Sequence, residues 1–210
     1  MKDLNRLSAV EAAEGIRTKK FTSEELIKDC LSHINEREND IQAWSYVNTE
    51  LAIRQAQKAD RHQSEGGSLG ALHGIPIGIK DVIDTKDMPT ENGSPIFEGR
   101  RPQHDALCVA ALRRAGAVIM GKTVTTEFAN INPSKTRNPH NIEHSPGGSS
   151  AGSGASVADF HIPLALGTQT GGSVIRPASF NGVFGLKPTL GLIPRNGVFL
   201  DSLTLDRIGV

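Results

Sequence analysis

The chain has 210 residues, with 23 acidic and 23 basic side chains and 37% apolar residues. These values are typical of a globular protein, and the balanced charge argues against a nucleic-acid-binding surface. No apolar run is long enough to span a bilayer and residues 1–6 contain no apolar signal segment, so we expect a cytoplasmic protein without a membrane partner.

Helices are predicted in the first part of the chain. Ser8 with Glu11, and Thr22 with Glu25, form capping boxes, in which each side chain binds the backbone N–H of the other residue. The second box precedes a helix with apolar residues on one face, and a further helix is expected at Thr49–His62. The sequence therefore predicts a helical layer at the start of the fold.

Short apolar runs alternate with helical segments in the rest of the chain. The predicted strands are Ile75–Ile79, Ala117–Met120, Ile162–Leu166 and Val183–Leu186, and the predicted helices are Asp105–Arg114 and Ser150–Ala158. This alternation predicts an α/β fold with a mixed, largely parallel sheet that helices cover on both faces. Residues 1–66 would form the helical layer and residues 67–210 the core, together in one domain.

Two glycine-rich segments carry serines, and a lysine ends the first predicted strand. The segments are Pro146–Ser153 (PGGSSAGS) and Gly167–Ser173 (GTQTGGS), and the lysine is Lys80. Taken singly, such segments are usually turns and such a lysine is a surface charge. In combination they suggest catalysis, because a neutral lysine can remove a seryl proton and burial keeps an amine neutral. The pattern predicts a serine hydrolase without a histidine in its proton relay.

The second segment also predicts an anion site. Thr170, Gly171, Gly172 and Ser173 offer consecutive backbone N–H groups, which can converge on one anion because the glycines have no Cβ in the way. In a serine hydrolase this arrangement predicts an oxyanion hole.

Five ordered segments resemble the amidase signature family, whose members cut amide bonds with a Ser-Ser-Lys triad. They are Gly74–Lys80, Gly121–Thr123 with Glu127–Ala129, Pro146–Ser153, Thr170–Ser173 and Gly185–Thr189, within a resemblance that runs from about Leu7 to the last residue. The resemblance implies an α/β/α sandwich. It implies that Lys80 is the base, that Ser149 bridges it to the nucleophile Ser173, and that Ser149 follows a cis peptide bond.

The activity implied by this resemblance is hydrolysis of a carboxamide to a carboxylate and ammonia through a seryl acyl-enzyme. No cofactor and no metal are expected, and the implied partner is a small-molecule amide. Family members continue well past residue 210, so we expect that this chain is the N-terminal portion of the fold. An alternative is therefore a truncated, catalytically silent fragment that needs a complementary chain; a homo-oligomer is also open.

The sequence departs from the commonest family pattern at two positions. Gln169 stands where most members have Asp, and Arg176 lies three residues after the expected nucleophile, where many members have the arginine two residues after it. The form GGSVIRP is similar to malonamidase-like stand-alone enzymes, and it speaks against the tRNA-dependent amidotransferases as the nearest relatives. Arg176 is either in a salt bridge or the ligand of a substrate carboxylate, which a guanidinium can bind with two hydrogen bonds.

Other motifs point elsewhere. Gly116–Thr123 matches the Walker A pattern and gives a distant nucleotide-binding alternative, but its apolar residues are typical of a buried strand. Ser150 lies in a G-x-S-x-G segment, yet His161 is too close in sequence to complete the usual triad. Cys30 and Cys108 fall in apolar helical patterns, which predicts buried packing.

Overall fold

The computed structural model describes residues 3–210, which build a five-stranded sheet in the order β1-β3-β2-β4-β5. The strands are β1 (Trp44–Val47), β2 (Pro76–Lys80), β3 (Val118–Thr123), β4 (Leu164–Gln169) and β5 (Arg207–Gly209). Strand β2 pairs in parallel with both β3 and β4, whereas the edge strands β1 and β5 pair antiparallel with their neighbours. The expected mixed sheet with a parallel centre is confirmed.

Six α-helices accompany the sheet in the described residues. They are α1 (Ala9–Arg17), α2 (Ser23–Ile41), α3 (Thr49–Ser64), α4 (Leu107–Arg114), α5 (Ala151–Ala158) and α6 (Ile175–Asn181). Both predicted capping boxes are present, at the starts of α1 and α2. Among residues 3–210, no helix has both the length and the apolar character that crossing a bilayer would require.

Apolar side chains fill both faces of the sheet. Within β3, Val118 and Met120 belong to one buried cluster with residues of α1, α2 and α5, and Ile119 belongs to a second cluster with Val109 of α4. Successive side chains of a strand point to opposite faces, so one strand contributes to both clusters. The central strands are thus covered on both sides, as the sequence predicts.

One predicted strand is wrong. Val183–Leu186 has no strand conformation, Phe184 is fully exposed, and Leu186 is paired only through its backbone with Val210. An apolar run becomes a buried strand only where neighbouring strands pair with it, and here the neighbouring chain offers a single pair of hydrogen bonds. The sequence analysis also missed β1, β5 and α6, which are short elements of three to seven residues.

Candidate active site

Lys80 ends β2 and is completely buried. Its Nζ donates hydrogen bonds to Ser149 Oγ at 2.6 Å and to Thr168 Oγ1 at 2.9 Å. Burial lowers the pKa of Lys80 to about 7, and the nearby carboxylate of Asp206 opposes this effect by favouring the charged amine. Near neutral pH, the amine is therefore close to the point at which it can accept a proton.

Ser149 immediately precedes the Ser150 cap of α5 and is buried. The peptide bond between Gly148 and Ser149 is cis, as the resemblance implies. Gly147 has a φ of 73°, a conformation that favours glycine over residues with a side chain. These glycines bring the chain into α5 with the Ser149 hydroxyl directed at Lys80.

Ser173 lies in the segment between β4 and α6. The N–H of Ser150 donates to Ser173 O at 3.2 Å, which places the Ser173 segment against the start of α5. Within the described part of the chain, no hydrogen bond links the hydroxyl of Ser173 to that of Ser149. The structure therefore brings Lys80 and Ser149 into direct contact and places the backbone of Ser173 beside them.

The segment from Thr170 to Ser173 has free backbone donors. Across residues 3–210, none of these four N–H groups has a protein hydrogen-bond partner. Gly172 O accepts from the N–H of Arg176 at 2.7 Å, so the segment folds back on the first turn of α6. Because this loop follows the carboxyl end of a parallel strand, it lies at the sheet edge where ligands bind in open α/β folds.

Two contacts of this loop were missed by sequence reasoning. Asp206 is buried and accepts from Thr170 Oγ1 and from the N–H groups of Asp201 (2.6 Å) and Ser202 (2.9 Å). Gln169 was noticed only as a departure from the family pattern, yet its side chain is buried and bonded to the loop backbone. No local sequence signal identifies Asp206, because its contact with Thr170 spans 36 residues.

Arg176 lies exposed on α6 and lines a cleft of about 500 Å³ that also includes Gly147 and Gly148. Its guanidinium lies against the loop, since a Cβ added to Gly172 would be 2.9 Å from Arg176 Nη2. In the described residues Arg176 has no carboxylate within ion-pair distance. The salt-bridge alternative thus has no support here, and the cation faces an open cleft.

The Walker A alternative is wrong. Gly116, with a φ of 90°, follows the end of α4, and the rest of the motif is the buried strand β3. Lys122 Nζ is buried and bonds to Ile83 O (2.8 Å) and Thr90 Oγ1 (2.6 Å), with Asp81 Oδ1 at 3.3 Å. A lysine held in this way cannot reach a bound phosphate.

The other rival residues have structural partners. Ser150 Oγ is buried and bonds to the backbone of Thr168, and His161 Nδ1 accepts from Trp44 Nε1 at 3.1 Å, far from a triad arrangement. Cys30 and Cys108 are buried as predicted, and burial raises the pKa of their thiols to about 12 and about 11. Neither is a reactive thiolate.

One group of side chains has metal-ligand chemistry. Ligand atoms of His33, Asp159 and His161 lie within 4.8 Å of one another. However, Arg37 Nε donates to Asp159 Oδ2 at 3.0 Å, and the His161 ring already accepts from Trp44. A cation at the carboxylate and a donor at the imidazole favour a buried polar network that joins α2 to the end of α5.

Comparison with known proteins identifies the family of this fold and site. The family model described as "Amidase" matches residues 25–210, so the chain belongs to the amidase family. It is 42% identical to the A component of the glutamyl-tRNA(Gln) amidotransferase of Natranaerobius thermophilus, over 98% of this chain and 43% of that protein. The chain thus spans less than half the length of the curated relatives that it matches.

Solved structures agree with this assignment. The native peptide amidase of Stenotrophomonas maltophilia superposes with a TM-score of 0.91 at 36% identity, over 97% of this chain and 44% of the amidase. An amidase family protein from Bacillus anthracis gives a TM-score of 0.91 at 31% identity, over 99% and 44% of the two chains. The malonamidase-like subgroup stays a prediction, because these matches include both amidotransferase components and amidases.

Proposed function

We propose that this chain carries the catalytic groups of a serine amidohydrolase, with Lys80 as base, Ser149 as bridge and Ser173 as nucleophile. Lys80 Nζ takes the proton of Ser149 Oγ, Ser149 takes that of Ser173, and Ser173 Oγ bonds to the amide carbonyl carbon. When the C–N bond breaks, the protons return along the same path to the leaving amine. Water then attacks the acyl-enzyme, releasing the carboxylic acid and restoring Ser173.

The observation that supports this proposal best is the buried contact between Lys80 and Ser149 at 2.6 Å. A buried lysine without an adjacent carboxylate partner is costly, and a hydroxyl at this distance gives its neutral form a proton to accept. The free N–H groups of residues 170–173 supply donors for the negative charge that develops on the carbonyl oxygen.

For the substrate, we propose a small amide that carries a nearby carboxylate. The supporting feature is Arg176, an exposed cation without an ion-pair partner in the described residues, whose guanidinium contacts the loop that holds Ser173. A carboxylate bound there would place the amide next to the nucleophile. Bidentate binding of this kind contributes about 1.5–3 kcal/mol per charged hydrogen bond.

The test combines an active-site label with product detection. A fluorophosphonate should modify Ser173, as peptide mass spectrometry would show, and ammonia release should be measured over amides with and without a carboxylate. Lys80→Ala, Ser149→Ala and Ser173→Ala should each abolish both signals, whereas Ser64→Ala, at an exposed serine on α3, should leave them unchanged. Wild-type labelling in Ser173→Ala would contradict the proposal.

A second candidate function is that of one partner in a two-chain enzyme. Large apolar side chains are exposed near the β5 edge, among them Phe184 (105%), Leu192 (73%) and Leu203 (75%). Such a surface favours contact with further polypeptide. If this candidate is right, the chain alone will not react with the fluorophosphonate, and adding a polypeptide equivalent to the remaining length of its relatives will restore labelling of Ser173.

A further inference from the structure

Gln169 ends β4, and its buried side chain makes three hydrogen bonds to the backbone that follows it. Oε1 accepts from the N–H groups of Val174 at 2.8 Å and Ile175 at 2.9 Å, and Nε2 donates to Gly171 O at 3.0 Å. One amide group therefore joins the two ends of the loop formed by residues 170–173.

The bond to Gly171 O determines where the next N–H points. In a trans peptide the C=O of one residue and the N–H of the next point in opposite directions. Because Gly171 O faces the Gln169 amide, the N–H of Gly172 is directed away from that amide, and it has no protein partner within residues 3–210. A Cβ built on Gly171 would meet no atom within 4 Å, so packing does not hold this peptide in place.

We infer that Gln169 is a positioning residue that orients the Gly172 N–H as an oxyanion donor and fixes the loop to the first turn of α6. This inference rests on the proposed function. An ionised carboxylate, such as the Asp that most family members have at this position, could accept from Val174 and Ile175 but could not donate to Gly171 O. The glutamine therefore provides a contact specific to this chain.

The test compares matched substitutions at two glutamines. Gln169→Met keeps the side-chain length and removes all three bonds, and Gln169→Glu keeps the acceptor but removes the donor. The control is Gln55→Met, because Gln55 likewise bonds to backbone atoms, with Ile119 O at 3.1 Å and Ile119 N at 3.2 Å, at a site remote from Ser173. This control separates a general loss of stability from a specific loss of loop orientation.

The first readout is the rate at which a fluorophosphonate labels Ser173, since its tetrahedral adduct needs the same donors as the reaction. Gln169→Met should slow labelling about a hundredfold and Gln169→Glu about tenfold or more, whereas Gln55→Met should label at the wild-type rate. Equal rates in the wild type and both Gln169 variants would overturn the inference, as would equal slowing in Gln55→Met.

A second readout does not depend on activity. Hydrogen exchange of the backbone amides of residues 171–175 should become faster in Gln169→Met and stay unchanged in Gln55→Met, because Val174 and Ile175 lose their acceptor. Unchanged exchange in Gln169→Met would overturn the inference even for a chain that is silent alone. Failure of the wild type to label Ser173 would count against the proposed function instead.

Discussion

The neutral state of buried Lys80 can be tested through stability, with Lys80→Met as the perturbation. Burial lowers the pKa of Lys80 from 10.5 to about 7. Between these values the unfolded chain carries a proton that the folded protein does not, so wild-type stability rises with pH by about 1.4 kcal/mol per pH unit. Methionine binds no proton. The stability of the wild type relative to Lys80→Met should therefore increase by about 3 kcal/mol from about pH 8 to about pH 10.

Urea unfolding can measure this difference, with fluorescence of the single tryptophan, Trp44, as the probe. Burial also lowers the pKa of Lys122, to about 8, but Lys122 is present in both proteins and its contribution cancels. Lys58→Met, which removes an exposed lysine from α3, is the control and should show no such slope. A stability difference between wild type and Lys80→Met that does not change with pH would mean that Lys80 is charged when folded, and the proton relay would be refuted.

Three further changes test the site and its surroundings. Gly152→Ala should lower stability by about 1–3 kcal/mol in urea unfolding, because the new Cβ would lie 2.2 and 2.4 Å from backbone atoms, although alanine favours helices. Asp159→Asn should cost about 1–3 kcal/mol by the same measurement, since it weakens the contacts to Arg37 and His161; an unchanged midpoint would contradict this. Arg176→Ala should raise KM about tenfold or more for carboxylate-bearing amides and leave KM for neutral amides unchanged; equal effects on both would exclude carboxylate binding.

Local signals in the sequence were sufficient for much of the fold. Both capping boxes form as predicted, because their hydrogen bonds join residues three positions apart. The central strands follow from apolar runs that are buried on both faces. By contrast, Val183–Leu186 has similar composition but remains outside the sheet, since strand formation depends on partners that a single run does not reveal.

The candidate site divides in the same way. Lys80 and Ser149 could be assigned from motifs, and the structure places their side chains in contact. The contacts of Thr168 and Asp206 could not be assigned, because they bring together residues that are distant in sequence and lie in no motif. For Gln169 the only sequence signal was the departure itself, and its hydrogen bonds depend on how the loop folds back onto α6.

The sheet order explains how the proposed catalytic groups come together within this chain. Lys80 ends β2, and the loop to Ser173 leaves β4, which pairs directly with β2 through Ile77 opposite Leu164 and Ile79 opposite Leu166. Because these strands are parallel, their carboxyl ends lie at the same edge of the sheet. Assembly of the relay thus depends on the β2–β4 pairing in the covered centre of the sheet. It follows that replacing the exposed Phe184 with Asp should improve solubility without slowing fluorophosphonate labelling of Ser173.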